Sequence, residues 1–394
     1  MAEIKLEPIF EDDRSVVIRL PKTSDEQQRK DLVAEHLHLD ALSCIVGEYS
    51  PDFEGKITNI IKTEAENFKP MYLDNGGIAA LEVFGNKFSL VIYSPIDFSI
   101  VKRQHLFDRE LCGYSMSKTP MGNILVDLRE TVKGKRILTN YYCNQEGDLL
   151  WSKSYNIKYF TTFILNNDAI IVRTESEMII ENHDEEIKID FKTSPYKFKF
   201  DQNAMALIPY GNKGFICYDT SCIYLYDDNL KERHITTEGY FINNVTLIDE
   251  NRIIFSTPDY NLVEINLVTG EKIVIKLDSF NVRYIFSIGN NLCLLIVEYD
   301  NSKQKVKFYD IEKKKILPSR NLFKSCGEII YIGTMSNGKI LLFYHLGNSF
   351  LIYDVLTGEN ITICIGKSFN NFKISSTDSV LAPHYNGNYI MIFN

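Results

Sequence analysis

The side chains best able to do chemistry in this chain are its seven histidines and the acids that close several apolar runs. His36 and His38 sit in the stretch Glu35-His36-Leu37-His38-Leu39-Asp40. On a helix, positions two apart point roughly 200° from one another, so the two imidazoles cannot share an ion. His36 and Asp40, one turn apart, could share one, but two ligands fall short of the four a structural zinc takes. The other histidines (His105, His183, His234, His345 and His384) follow no common spacing. His384, after Pro383 and before Tyr385-Asn386-Gly387, stands where a turn would present it. No Gly-x-Ser-x-Gly, no HExxH and no paired Cys-His spacing occurs, so neither a catalytic residue nor a metal ligand is assigned, and no cofactor is expected. Asp227, Asp310 and Asp354 could line a cavity or bind calcium, yet their place before Asp-Asn-Leu or Thr-Gly-Glu turns fits backbone capping better. Tyr299-Asp300-Asn301-Ser302 lacks the glycine and distal glutamate of a calcium loop.

Those acids recur at a nearly constant interval. Aligned on an apolar run ending in a small polar residue, the anchors are Ser94, Asn144, His183, Asp227, Asn266, Asp310, Asp354 and Asn394. Their successive separations are 50, 39, 44, 39, 44, 44 and 40 residues. Each unit reads as four short strands. One runs Val282 to Ile288, Leu292 to Glu298, Lys305 to Asp310 and Lys315 to Arg320; the next runs Glu328 to Thr334, Ile340 to Tyr344, Ser349 to Asp354 and Asn360 to Ile365. Asn-Gly, Gly-Asn and Thr-Gly pairs supply the positive-φ positions that tight hairpins need. The innermost strands (Met71-Tyr72, Tyr114 to Met116 and Val245 to Leu247 among them) repeat no ionisable position and read as packing.

The last unit has only three strands, Phe372 to Ser375, Val380 to His384 and Tyr389 to Phe393. An open edge of this kind needs a partner. Lys56 to Lys62 is the expected one, lying just before the first strand of the first unit, Phe68 to Leu73. The expected fold is therefore all-β: a β-propeller of four-stranded blades, closed by pairing of N- and C-terminal strands. Residues 56–394 divided by eight give about 42 per blade; eight blades fit the spacing better than seven, which stays as the alternative.

Residues 56–394 resemble the β-propeller superfamily of WD40-like and quinoprotein-like proteins. The Tyr-Asp turns at 226–227, 309–310 and 353–354 and the Thr-Gly-Glu turns at 269–271 and 357–359 carry the resemblance. The Trp-Asp and Gly-His signatures of WD40 repeats are absent, and Trp151 is the single tryptophan. What the resemblance implies is fold, and a fold of this kind hosts many functions.

Residues 1–55 lie outside the repeat. Ser15 to Leu20 reads as a strand and Ser24 to Cys44 as an amphipathic helix, its apolar side carrying Leu32, Val33, Leu37 and Ala41. This strand-helix extension is expected to pack on the propeller or on a partner. A net charge of −9 argues against nucleic acid. No basic n-region precedes an apolar stretch, and no uninterrupted apolar run is long enough to span a membrane. Eight scattered cysteines without a CxxC pair suit reduced thiols, so a cytoplasmic protein is expected. The expected function is a non-enzymatic, protein-binding scaffold module that docks a partner through a propeller rim and the N-terminal helix. Tyr210, His384, Tyr385 and Leu37 are its candidate contacts. The alternative is a hydrolase or lyase acting on a small molecule or sugar in the central channel.

Overall fold

The structure is a computed structural model of the 394-residue chain. It describes residues 8–11, 16–19, 42–46, 57–63, 65, 67–157, 162–174, 177–182, 185–190, 206–218, 222–235, 242, 244–277, 280–298, 304–317, 328–344, 349–358, 360–365, 373–375, 378–383 and 389–393. Every regular element among these is a strand. The chain divides into two compact units, residues 102–322 and residues 1–101 with 323–394.

The 102–322 unit holds five four-stranded meanders. Sheet 2 comprises Gly113–Lys118, Ile124–Val132, Lys135–Cys143 and Leu149–Asn156; sheet 3 comprises Thr162–Ile164, Ile170–Arg173, Glu177–Glu181 and Glu186–Asp190. Sheet 4 follows with Ala206–Tyr210, Gly214–Tyr218, Ile223–Tyr226 and Glu232–Ile235. Sheet 5 is Asn244–Asp249, Arg252–Thr257, Asn261–Asn266 and Lys272–Lys276, and sheet 6 is Asn281–Ser287, Leu292–Glu298, Gln304–Asp310 and Lys315–Ile316. Middle strands such as Ile170–Arg173, Arg252–Thr257 and Leu292–Glu298 are rich in Ile, Val, Leu and Phe, because they are covered on both faces. Their side chains interdigitate with the neighbouring sheet: Leu125 and Leu138 with Ile170 and Val172, Ile171 and Ile180 with Phe215, Ile253 with Leu225, and Ile254 with Val282.

In the other unit, sheet 1 comprises Asn67–Tyr72, Ile78–Phe84, Lys87–Tyr93 and Ile100–Phe107, the last containing the boundary between the units. Sheet 7 carries Ile329–Thr334, Ile340–Tyr344, Ser349–Tyr353 and Asn360–Ile365. Sheet 8 begins with Lys373–Ile374, Val380–Pro383 and Tyr389–Phe393 and takes its fourth strand from Ile57–Lys62. Ile390 stands opposite Ile61, and Phe393 opposite Ile57. Buried Ile61 packs with Tyr72, Ile78 and Tyr93, which ties this added strand to sheet 1.

The N-terminal extension differs from expectation. Val16–Arg19 is a strand, but Leu42–Val46 is one as well, where the sequence pattern placed the end of a helix. Cys44, Ile45 and Val46 pair with Ile365, Cys364 and Ile363, and Val16–Arg19 pairs in parallel with Leu42–Val46. With Pro8–Glu11 these strands widen sheet 7 to seven. A short apolar run has both periodicities, and an open sheet edge beside it decides for strand. Residues 20–41, which hold the rest of the expected helix and Leu37, lie outside the described residues.

The hairpin between first and second strands repeats one geometry. In the turns opening at Leu73, Thr119, Leu165, Met335 and Ser375, the first residue's N–H donates to the carbonyl four residues on. The fourth residue takes φ between about +60° and +86°: Gly76, Gly122 and Gly338, but Asp168 and Asp378 in sheets 3 and 8. Both aspartates use that strained position to clasp the preceding sheet. Asp168 accepts from Thr119 Oγ1 (2.5 Å), Met121 N (2.8 Å), Asn123 Nδ2 (3.1 Å) and Tyr142 Oη (2.5 Å). Asp378 accepts from the backbone N–H (2.6 Å) and the hydroxyl of Ser336.

Candidate functional site

Among the described residues the anchors of the repeat turn out to be caps; His183 and Asn394 lie outside them. Ser94 Oγ, Asn266 Oδ1 and Asp354 Oδ1 each accept the N–H of the residue two places on, Ile96 (3.1 Å), Val268 (2.8 Å) and Leu356 (2.9 Å). Asp227 holds Asn229 N and Lys231 N, and Asp310 holds Lys313 N. In sheet 3 the cap is Asn182, which accepts from Glu185 N at 2.9 Å, one residue before the expected His183. A side-chain oxygen that ties down the turn's own N–H groups fixes the turn: the residue after the anchor can point inward, as Leu267 and Ile311 do at 2 % exposure, while the next one projects outward.

What projects outward differs by sheet. The second residue after the anchor is Glu146, Asn229 or Glu312 in sheets 2, 4 and 6. In sheets 1, 5 and 7 it is Ile96, Val268 or Leu356, exposed at 89 %, 66 % and 81 %. Met121, on the first turn of sheet 2, is 67 % exposed. In an antiparallel meander the first and third turns share one end of the sheet, so these apolar tips occupy the same end of their respective sheets. Single exposed apolar residues are ordinary, but three at one repeat position, each held by the same cap, form a pattern.

Tyr210 ends the first strand of sheet 4, at that same end. It is half-buried and packs against the layer between sheets 4 and 5. His384, Tyr385 and Leu37 lie outside the described residues. Beside Tyr210 a cleft of about 200 Å³ opens between the turns of sheets 3 and 4, floored by Leu165, Ala169, Ile180 and Leu230. Asn166 Nδ2 donates to the Gly211 carbonyl at 2.7 Å, and of the lining residues Lys213 Nζ lies 3.9 Å from Glu185 Oε2. Asp228 closes one wall: its Oδ1 takes the N–H groups of Asn212, Lys213 and Gly214, which hold its carboxyl below the ordinary range.

Buried ionisable groups are concentrated between sheets. Glu264, on the third strand of sheet 5, receives Lys314 Nζ (2.6 and 2.8 Å), Arg252 Nη1 (3.1 Å) and Tyr309 Oη (3.2 Å). Burial pushes the neighbouring Cys293 thiol up to about 12, so it is an inert packing group at neutral pH. In sheet 2, Asp127 Oδ2 accepts from Ser115 Oγ (3.1 Å), which in turn accepts from Arg129 Nη2 (3.3 Å). Burial pushes the Asp127 carboxyl up to about 6, against the opposing pull of Ser115, Arg129 and Thr162. Sequence reasoning missed this residue because its partners are assembled by strand register. Among the described residues no three His, Cys, Asp or Glu side chains are placed to hold a metal ion.

No family model and no curated protein matches the chain. Solved structures do match it. BamB from Moraxella catarrhalis superposes with a TM-score of 0.55 at 12 % identity, covering 86 % of this chain and 99 % of that one. The computationally designed Ika8 protein gives 0.53 at 11 %, covering 84 % and 98 %. At such identity the likeness speaks to fold alone, and with the serial four-stranded meanders it supports a β-propeller fold.

Proposed function

We propose that this chain is a non-enzymatic protein-binding module that docks its partner on the turn-bearing ends of its sheets. The observation that carries the reading is the repeated apolar tip: Ile96, Val268 and Leu356 stand at one repeat position, each fixed by its cap and each exposed. Apolar side chains on rigid turns lose little entropy on binding and exclude water from a contact. Tyr210, at the first turn of sheet 4, stands at the same end as the tips; His384 and Tyr385, which in the sequence follow the second strand of the last unit, and Leu37 in the N-terminal segment complete the proposed contacts. In this reading the sheets are eight four-stranded blades closed at sheet 8; the pairing of Tyr389–Phe393 with Ile57–Lys62 supports it. A cytoplasmic setting is in keeping with the free thiols of Cys112, Cys143, Cys217, Cys222 and Cys293.

The test compares affinity capture by the unmodified protein and by the triple variant Ile96→Ser, Val268→Ser, Leu356→Ser. Partners held by the rim are recovered with the first and lost with the second at an unchanged unfolding midpoint. Equal recovery would remove the tips from the function.

A further inference from the structure

The face of sheet 2 that packs on sheet 3 carries one polar residue on each of its four strands. Ser115, Asp127, Asn140 and Lys153 stand opposite one another through the registered pairs Ser115–Asp127, Asp127–Asn140 and Asn140–Lys153. The rows flanking them on that face are apolar or aromatic over much of their length: Leu125, Tyr142 and Trp151 on one side, Leu138 and Tyr155 on the other, packed on Ile170, Val172 and Ile179 of sheet 3. A polar row, with Arg129 beside it and Thr162 and Glu181 facing it, thus crosses a largely apolar layer.

The row is not self-sufficient. Asn140 has no exposed surface, and neither its Oδ1 nor its Nδ2 has a hydrogen-bond partner. Asp127 is 7 % exposed; Ser115 serves its Oδ2, and its Oδ1 has none. Tyr155 Oη and Glu181 Oε1 in the same layer are bare as well, although Lys153 Nζ reaches Glu181 Oε2 at 2.5 Å. With Thr162 Oγ1 beside the Asp127 carboxyl, most of the buried side-chain polar atoms without a partner, among the described residues, therefore belong to this layer. Native interiors do not leave an amide bare on both atoms, since nothing offsets the lost hydration. Two acceptors and a donor on directly paired residues are what a buried water needs, roughly two to four polar partners at one point. Ser115, Arg129 and Thr162 around the Asp127 carboxyl are half-buried, and the Thr162 hydroxyl oxygen is itself buried against it.

We propose that the layer between sheets 2 and 3 is a built hydration site. Water held there donates to Asp127 Oδ1 and Asn140 Oδ1 and accepts from Asn140 Nδ2, binding the two middle strands of sheet 2 across their polar row.

The variant Asn140→Leu separates a wet layer from a dry one by sign. In a dry layer it removes two bare polar atoms and raises the folding equilibrium constant about tenfold. In a hydrated layer it expels the water and strips Asp127 Oδ1 of its partner, and the constant falls by about as much. The fall is expected, together with loss of at least one long-lived water in magnetic relaxation dispersion; a rise, or an unchanged number of long-lived waters, overturns the proposal. Should that variant not fold, a high-resolution crystal structure of the unmodified protein decides. Water density within hydrogen-bond distance of Asp127 Oδ1 and Asn140 sustains the proposal. A direct Asn140–Asp127 hydrogen bond, or no density, ends it.

Discussion

The layer between sheets 5 and 6 and the layer between sheets 2 and 3 are made by the same repeat, yet they treat polar groups in opposite ways. Between sheets 5 and 6 no buried side-chain polar atom among the described residues is without a partner. Asn244 Nδ2, Thr246 Oγ1 and Ser256 Oγ donate to the carbonyls of Arg283, Ile285 and Val282, and Glu264 is ringed by two cations and a phenol. Between sheets 2 and 3, Asp127 and Asn140 are as deeply buried but are left with bare atoms. Since both layers keep the same meander, the backbone plan does not depend on how the polar residues are served. The first arrangement is a set of inter-sheet staples; the second leaves buried polar atoms unserved.

The largest effect should come from breaking the staples. Glu264→Ala leaves Lys314 and Arg252, both about a third exposed, facing a missing charge, and should cost about 3 kcal/mol in denaturant unfolding. Next comes the acid of the other layer. The Asp127 carboxyl is raised to about 6 in the folded chain, chiefly by burial. Its stability contribution is therefore fully present below the ordinary carboxylate range, near pH 4, and is lost as pH rises through about 6. A shift of about two units corresponds to about 3 kcal/mol at most. Asp127→Asn should gain up to that over the unmodified protein at pH 8 and nothing at pH 4; a pH-independent difference would show that burial does not set this carboxyl. Ser256→Ala removes one neutral staple and should cost about 1 kcal/mol. Ile96→Ser, Val268→Ser and Leu356→Ser, at exposed tips, should each fall within about 0.5 kcal/mol of the unmodified protein, which would separate presentation from framework.

Much of the framework was legible in the residues, because turn chemistry is local. The Asn-Gly and Gly-Asn pairs and the capping acids mark where strands reverse, so Ile340–Tyr344, Ser349–Tyr353 and Asn360–Ile365 fall where the pattern put them. The pairing of Tyr389–Phe393 with Ile57–Lys62 could be foreseen because a three-stranded last unit implies a missing fourth. Leu42–Val46 could not, since its strand character comes from an edge more than 300 residues away in the chain. The clasps had a visible signal: Asp168 and Asp378 occupy the position that is glycine at 76, 122 and 338. The polar row had none. Asp127 and Asn140 are 13 residues apart, and only the hairpin register sets them side by side.

A partner docked on the capped turns would shield their backbone amides. Hydrogen–deuterium exchange on the protein with and without its captured partner reads that directly. The amides of 95–99, 267–271 and 355–358 should slow in the complex, while those of the outermost strands Leu149–Asn156 and Lys272–Lys276 keep their rates. Slowing confined to the outermost strands, with the capped turns unchanged, would contradict it.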